Sequence, residues 1–160
     1  MAVLTDFGAP ASEMAKSVLL EIPSTFEMLK VVDLISEQFA QIAGLDEDEA
    51  HSLGIAVREA VVNAMKHGNR NDVRKRTRVE YAARVDSAQP RVVVRVCDEG
   101  SGFDMTGVPD PLAPENISIT SGRGIFLMRA LMDDVQVRQL PAGGTEIVLA
   151  KTINRKTPGD

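Results

Sequence analysis

Apolar residues recur at two different periods along the chain. Phe26, Leu29, Val32, Ile35, Phe39 and Ile42 lie three and four apart, the spacing that gathers one face of a helix. Ser24 and Glu27 have the spacing of a capping box that opens this helix, and Gly44 ends it. Asp46 and Glu49 repeat the capping pattern, so a second helix is predicted to about His67, closed by Gly68. SVLLEIP (17–23) is short, apolar and stopped by proline, which suits an edge or buried strand. TRVEYAARV (77–85) and RVVVRVCD (91–98) predict two strands joined by DSAQP. A third helix is predicted from near Gly124, and VQVRQL with TEIVLAKT form a hairpin around PAGG.

The order β-α-α-β-β-loop-α-β-β lacks the regular strand–helix alternation of a doubly wound parallel fold. It predicts an α+β protein, a two-layer α/β sandwich with helices on one face of a largely antiparallel mixed sheet. The domain is expected to span 17–152, with 1–16 a loose leader and 153–160 a tail.

Composition narrows the picture. At 160 residues the chain forms one domain with room for a real core. A net charge of -5 argues against general nucleic-acid binding, which shows as a basic excess. No run approaches the ~20 apolar residues of a membrane span, and the first residues lack the basic start and apolar core of a signal peptide. Cys97 is the lone cysteine and reads as packing; His51 and His67 are the two histidines. A disulfide framework is excluded, a His/Cys metal site is not expected, and the cytoplasm is the simplest location.

Two stretches carry candidate chemistry. In VREAVVNAMKHGNRND (57–72), Glu59, Asn63 and His67 fall four apart and share one helix face. The second is a Gly- and Pro-rich connection over 99–124, longer than the ~12–15 residues at which structureless loops become uncommon in compact domains. It opens as D-x-G-x-G (Asp98, Gly100, Gly102) at a strand end, where a carboxylate could accept from an exocyclic amine. It closes on Gly122, Arg123 and Gly124 before a helix, whose N-terminus is a ready phosphate site. Either motif alone is more often a turn. GRGIFL also breaks G-x-G-x-x-G at Leu127, and the P-loop pattern is absent. His67 and Lys66 read first as cations favoured by the helix C-terminus. The basic run RNDVRKRTR (70–78) reads first as a solvated loop and strand edge, with contact to an acidic partner as the other reading.

Four segments in fixed order, Glu59-x-x-x-Asn63, DEGSG, SGRGIFLMRALMDDV and GGTEI, resemble the GHKL (Bergerat-fold) ATPase superfamily over roughly residues 17–152. EAVVNAMKHG and GRGIFLMRALMDDV are most similar to the anti-sigma-factor serine/threonine protein kinases within it. The resemblance implies ATP with Mg²⁺, Asn63 as the metal ligand and Glu59 as general base. It implies that Asp98 recognises adenine with help from Thr145, beside Gly144. Gly100 and Gly102 shape that pocket, and Gly122, Arg123 and Gly124 close over the phosphates. A lid is expected over about 104–121, stiffened by Pro109, Pro111 and Pro114 and loosened by Gly107.

The implied activity is transfer of the γ-phosphate to a serine or threonine of an anti-sigma-factor antagonist, by a kinase that also sequesters a sigma factor and acts as a homodimer, without direct contact to nucleic acid or membrane. The alternative is a nucleotide-gated binding module without transfer, against which Glu59 argues, since a pure binder needs no base. A histidine-kinase catalytic domain or a gyrase- or MutL-type ATPase fits less well: no phospho-acceptor helix precedes residue 17, and 160 residues leave no room for a transducer domain.

Overall fold

The computed structural model describes residues 16–100 and 122–155. Most of the leader, Gly102, the lid segment and residues 156–160 lie outside them. The chain opens with strand β1 (Lys16–Pro23) and passes through a 3-10 turn (Phe26–Met28) into helix α1 (Leu29–Ala43). Helix α2 (Glu47–Asn63) follows and runs directly into a π turn (Ala64–Gly68). Strands β2 (Arg76–Arg84) and β3 (Arg91–Cys97) come next, then helix α3 (Gly122–Leu131) and the hairpin of β4 (Asp134–Gln139) and β5 (Thr145–Thr152). The sheet order is β1-β2-β3-β5-β4, with every pairing antiparallel. No parallel pair contributes among the described residues.

Alternate strand residues face alternate sides of the sheet. One side presents Val79, Tyr81, Val92, Val94, Val96, Ile147 and Leu149, all buried beneath the helices. Val32 and Phe39 of α1, Leu53, Val57 and Val61 of α2, and Ile125 and Met128 of α3 complete this core. Helix α2 packs on α1 along one side and on α3 along the other. On the opposite side of the sheet Glu146 is buried between Arg95, at 3.2 Å, and Arg138, at 2.8 Å. Beside them Val93, Val148 and Ala150 form a second, small apolar cluster. Cys97 is half-buried next to Glu146, and burial pushes its thiol up to about 11, as suits packing rather than reactivity.

Local signals explain the helix ends. Asp46 Oδ1 accepts from Glu49 N at 2.8 Å while Glu49 Oε2 accepts from Asp46 N at 2.9 Å, the complete capping box expected there. Gly44 ends α1 in the left-handed region (φ 91), which glycine adopts without penalty. The box expected at Ser24 and Glu27 does not form. Ser24 Oγ instead donates to the Lys75 carbonyl at 2.9 Å and accepts from Asn69 Nδ2 at 2.8 Å, so tertiary partners outcompete the local cap. At the far end Ile153 is buried and Asn154 Nδ2 donates to Glu49 Oε1 at 2.6 Å.

Candidate nucleotide site

Helix α2 sets the first half of the site. Its buried stripe of Leu53, Ala56, Val57, Ala60 and Val61 fixes its rotation on the sheet. That rotation leaves Glu59 and Asn63, one turn apart, half-exposed toward α3. The first turn of α3 closes on them. A methyl group built on Gly124 would lie 3.1 Å from Glu59 Oε2, 3.3 Å from Asn63 Nδ2 and 3.6 Å from Asn63 Oδ1. Glycine therefore lets the α3 backbone approach both polar side chains. Gly122 is the first residue of α3, two earlier than the sequence predicts, and Arg123 is exposed. A helix N-terminus, whose first N–H groups have no intrahelical acceptor, suits an anion.

The second half surrounds Asp98, one residue beyond β3 and buried. Its N–H donates to the Thr145 carbonyl at 3.1 Å. Its Oδ1 accepts from Gly100 N at 2.9 Å and from Thr145 N at 3.2 Å, which leaves Oδ2 without a partner among the described residues. Burial pushes the Asp98 carboxyl above its ordinary value, against the pull of those two backbone donors. Glycines wall it in. A methyl on Gly144 would lie 2.1 Å from the Asp98 carbonyl oxygen, and its φ of +90 also demands glycine. A methyl on Gly100 would lie 2.3 Å from the Gly68 carbonyl oxygen.

The π turn joins the two halves. After Asn63 the helix widens, and Asn69 N–H donates to the Ala64 carbonyl, five residues back, at 2.8 Å. This brings Gly68 against Asp98: a methyl there would lie 2.2 Å from the carboxylate carbon. The sequence reads Gly68 only as a helix stop; its real constraint is space beside a carboxylate. Lys66 and His67 occupy the last turn, where the helix dipole favours cations. Beyond it Arg70 (φ 52) and Asn71 (φ 58) reverse the chain, and the basic run that begins there is largely exposed. Gly68 and Asn69 are the site residues that sequence reasoning missed. The glycine–asparagine pair directly after the helix is the one available signal.

Of the residues expected at the site, Glu59, Asn63 and Gly124 come together, as do Asp98, Gly100, Gly144 and Thr145. Gly102 lies outside the described residues. Glu59 Oε2 and both amide atoms of Asn63 lie close to the first turn of α3, and the two side chains carry hard oxygen donors that fit a Mg²⁺ ion that keeps much of its water.

Residues 22–151 match the family described as histidine kinase-like ATPase domain. The chain is similar to the serine-protein kinase RsbW of Listeria monocytogenes, 30% identical over 149 residues that cover 89% of this chain and 91% of the relative. It is also similar to the serine-protein kinase RsbW of Bacillus subtilis, 30% identical over 146 residues and 88% of each chain. A crystal structure of the RsbU and RsbW domains of a Mycobacterium tuberculosis protein shares its fold, with a TM-score of 0.64 at 20% identity. That match covers 89% of this chain and 34% of the other, so this chain spans about a third of that crystallised chain.

Proposed function

The chain belongs to the histidine kinase-like ATPase family, and on that premise we propose that it is an ATP-dependent serine-protein kinase of the anti-sigma-factor type. It passes the γ-phosphate of ATP to a serine or threonine of an anti-sigma-factor antagonist and holds a sigma factor inactive. The reading rests on one juxtaposition above all: Glu59 and Asn63, a helical turn apart, with the backbone of Gly124 against both. Similarity to serine-protein kinases over nearly the whole chain gives it its reaction class.

Each residue has a chemical task. Asp98 Oδ2 accepts from the amino group of adenine, while Gly68, Gly100 and Gly144 let the backbone close on Asp98 and hold it in place. Gly122, Arg123 and Gly124 present N–H groups and a cation to the phosphates. Asn63 would hold Mg²⁺ through its amide oxygen, and the bound ion would neutralise phosphate charge. Glu59 takes the proton of the incoming hydroxyl. Phosphoryl transfer depends mainly on positioning and charge stabilisation, so this short set suffices. The resemblance also gives Gly102 a part in shaping the base pocket, and Thr145 assists through its hydroxyl.

The kinase works as a homodimer, as the resemblance implies, and in the cytoplasm, a reducing compartment that suits its lone cysteine. No helix among the described residues is long and apolar enough to cross a membrane.

The test is a titration of the purified protein with ATP, with and without Mg²⁺, repeated on Asn63→Ala. Saturable binding strengthened by Mg²⁺ is expected, with that strengthening lost in the variant. Equal weakening of metal-bound and metal-free ATP would make Asn63 structural, and no binding by the folded protein would end the kinase reading. Incubation with a candidate antagonist and labelled ATP then reads transfer, and light scattering reads the dimer.

A further inference from the structure

Asn69 ends the π turn with only 1% of its surface exposed, and a buried carboxamide persists where its donors and acceptor are met. Its Nδ2 donates to Ser24 Oγ at 2.8 Å and to the Arg76 carbonyl at 3.0 Å, with Thr77 Oγ1 at 3.3 Å. Its Oδ1 accepts from Glu99 N–H at 2.8 Å. Only one orientation of the amide satisfies a carbonyl on one side and an N–H on the other. The side chain thus ties the β1–α1 junction and the head of β2 to the residue directly after Asp98. Arg76 N–H holds Glu99 a second time, through Oε2 at 2.8 Å.

The other flank of Asp98 is fixed by the same residue. The backbone N–H of Asn69 closes the π turn on Ala64, which seats Gly68 against the Asp98 carboxylate. One residue therefore brackets Asp98 from both sides: its side chain anchors the peptide after it, and its backbone holds the glycine facing it.

We propose that Asn69 is the positioning residue of the base subsite, holding the Asp98 carboxylate in place against Gly68 so that Oδ2 meets the 6-amino group of a purine. It touches no part of the nucleotide. Its contribution is selectivity for the amino group, delivered through Asp98, and it rests on the reading of Asp98 as the base acceptor. Without Asn69 the Glu99 N–H is orphaned, and the strand end that carries Asp98 is free to shift.

The test is competition between ATP and inosine triphosphate, whose 6-oxo group offers Asp98 an acceptor where ATP offers a donor. The intact protein prefers ATP. Asn69→Ala is expected to weaken ATP binding about tenfold and inosine triphosphate little, so that the preference falls by a similar factor. Asn69→Asp keeps an acceptor for Glu99 N–H and retains most of the preference. Asn69→Ser, whose hydroxyl stops one bond short of the carboxamide atoms that reach Glu99, Ser24 and Arg76, shows the same fall as alanine and, keeping a polar group there, serves if Asn69→Ala does not fold. An unchanged ratio in the alanine or serine variant overturns the proposal, whatever happens to the melting temperature. If the intact protein shows no preference, the reading of Asp98 fails first and the role of Asn69 falls with it.

Discussion

Gly124 and Glu59 belong to different helices, and a methyl group on the first would stand 3.1 Å from Oε2 of the second. A contact that tight obliges the neighbour to give way. Gly124→Ala should raise helix propensity by up to ~1 kcal/mol, yet displace the carboxylate proposed as base. The expected outcome is an unchanged or higher melting temperature with phosphotransfer lowered about tenfold, since small misplacements are costly in positioned reactions. Parallel thermal melts and single-turnover transfer measure both.

Glu59→Gln keeps the shape of the side chain and removes its basicity. ATP affinity should hold within a factor of about two, while transfer falls by roughly 10²–10⁴, the usual contribution of a positioned base. Transfer at the wild-type rate would remove Glu59 from that role.

Asp98→Asn separates stability from binding. The Asp98 carboxyl titrates above its ordinary value because it is buried, so the folded state binds this proton more tightly than the unfolded one. Such a group contributes stability that is full below the unfolded pKa, about 3.9, and is lost as the pH rises through the folded value. At neutral pH Asp98 therefore burdens the unliganded fold. The variant should melt at the same or a higher temperature at pH 7, with the gap narrowing toward pH 4. Its ATP affinity should drop at least ~10-fold, because an amide N–H₂ then meets the amino group it has to accept from.

Glu146 has the opposite sign. Burial alone would push its carboxyl up, but the Arg95 and Arg138 guanidiniums hold it below its ordinary value. Its contribution is present above the unfolded pKa, about 4.3, and lost as the pH falls through the lower folded value. Glu146→Gln should cost ~1–3 kcal/mol at pH 7, discounted because both arginines are about a third exposed. Denaturant melts between pH 3 and 7 should show the wild type losing an increment of stability below about pH 4 that the variant lacks. ATP binding should be little changed in this variant.

Much of the fold and half of the site were legible because they obey local rules. Glu59 and Asn63 share a face through helical period alone, and the Asp46–Glu49 box closes within four residues. The short apolar runs at 77–85 and 91–98 marked β2 and β3 as strands. The Ser24–Glu27 box failed because a hydroxyl chooses among all acceptors in reach, and Thr77, Asn69 and the Lys75 carbonyl arrive from more than forty residues away. Gly68 and Asn69 escaped for the same reason. Their constraints come from Asp98 and Glu99, about thirty residues on, and no period or cap announces such a meeting. The pairing of Glu146 with two arginines was likewise invisible, since an alternating strand shows which side a residue faces and not which charge stands opposite.

The π turn has a consequence for how this protein tolerates change. Each residue of a helix advances it by about 100°, so deleting one residue from 64–67 would restore an ordinary helical turn. Glu59 and Asn63, upstream, would keep their places. Gly68 and Asn69, downstream, would stay near theirs, because five residues of the wider π turn cover about the arc that four cover in an α turn. The extra residue is thus carried as a bulge at the seam between two halves of one site: the half near Gly124 is locked to the sheet by α2, and the half around Asp98 is locked to it by β3. A change of one residue in length costs the site least in this segment.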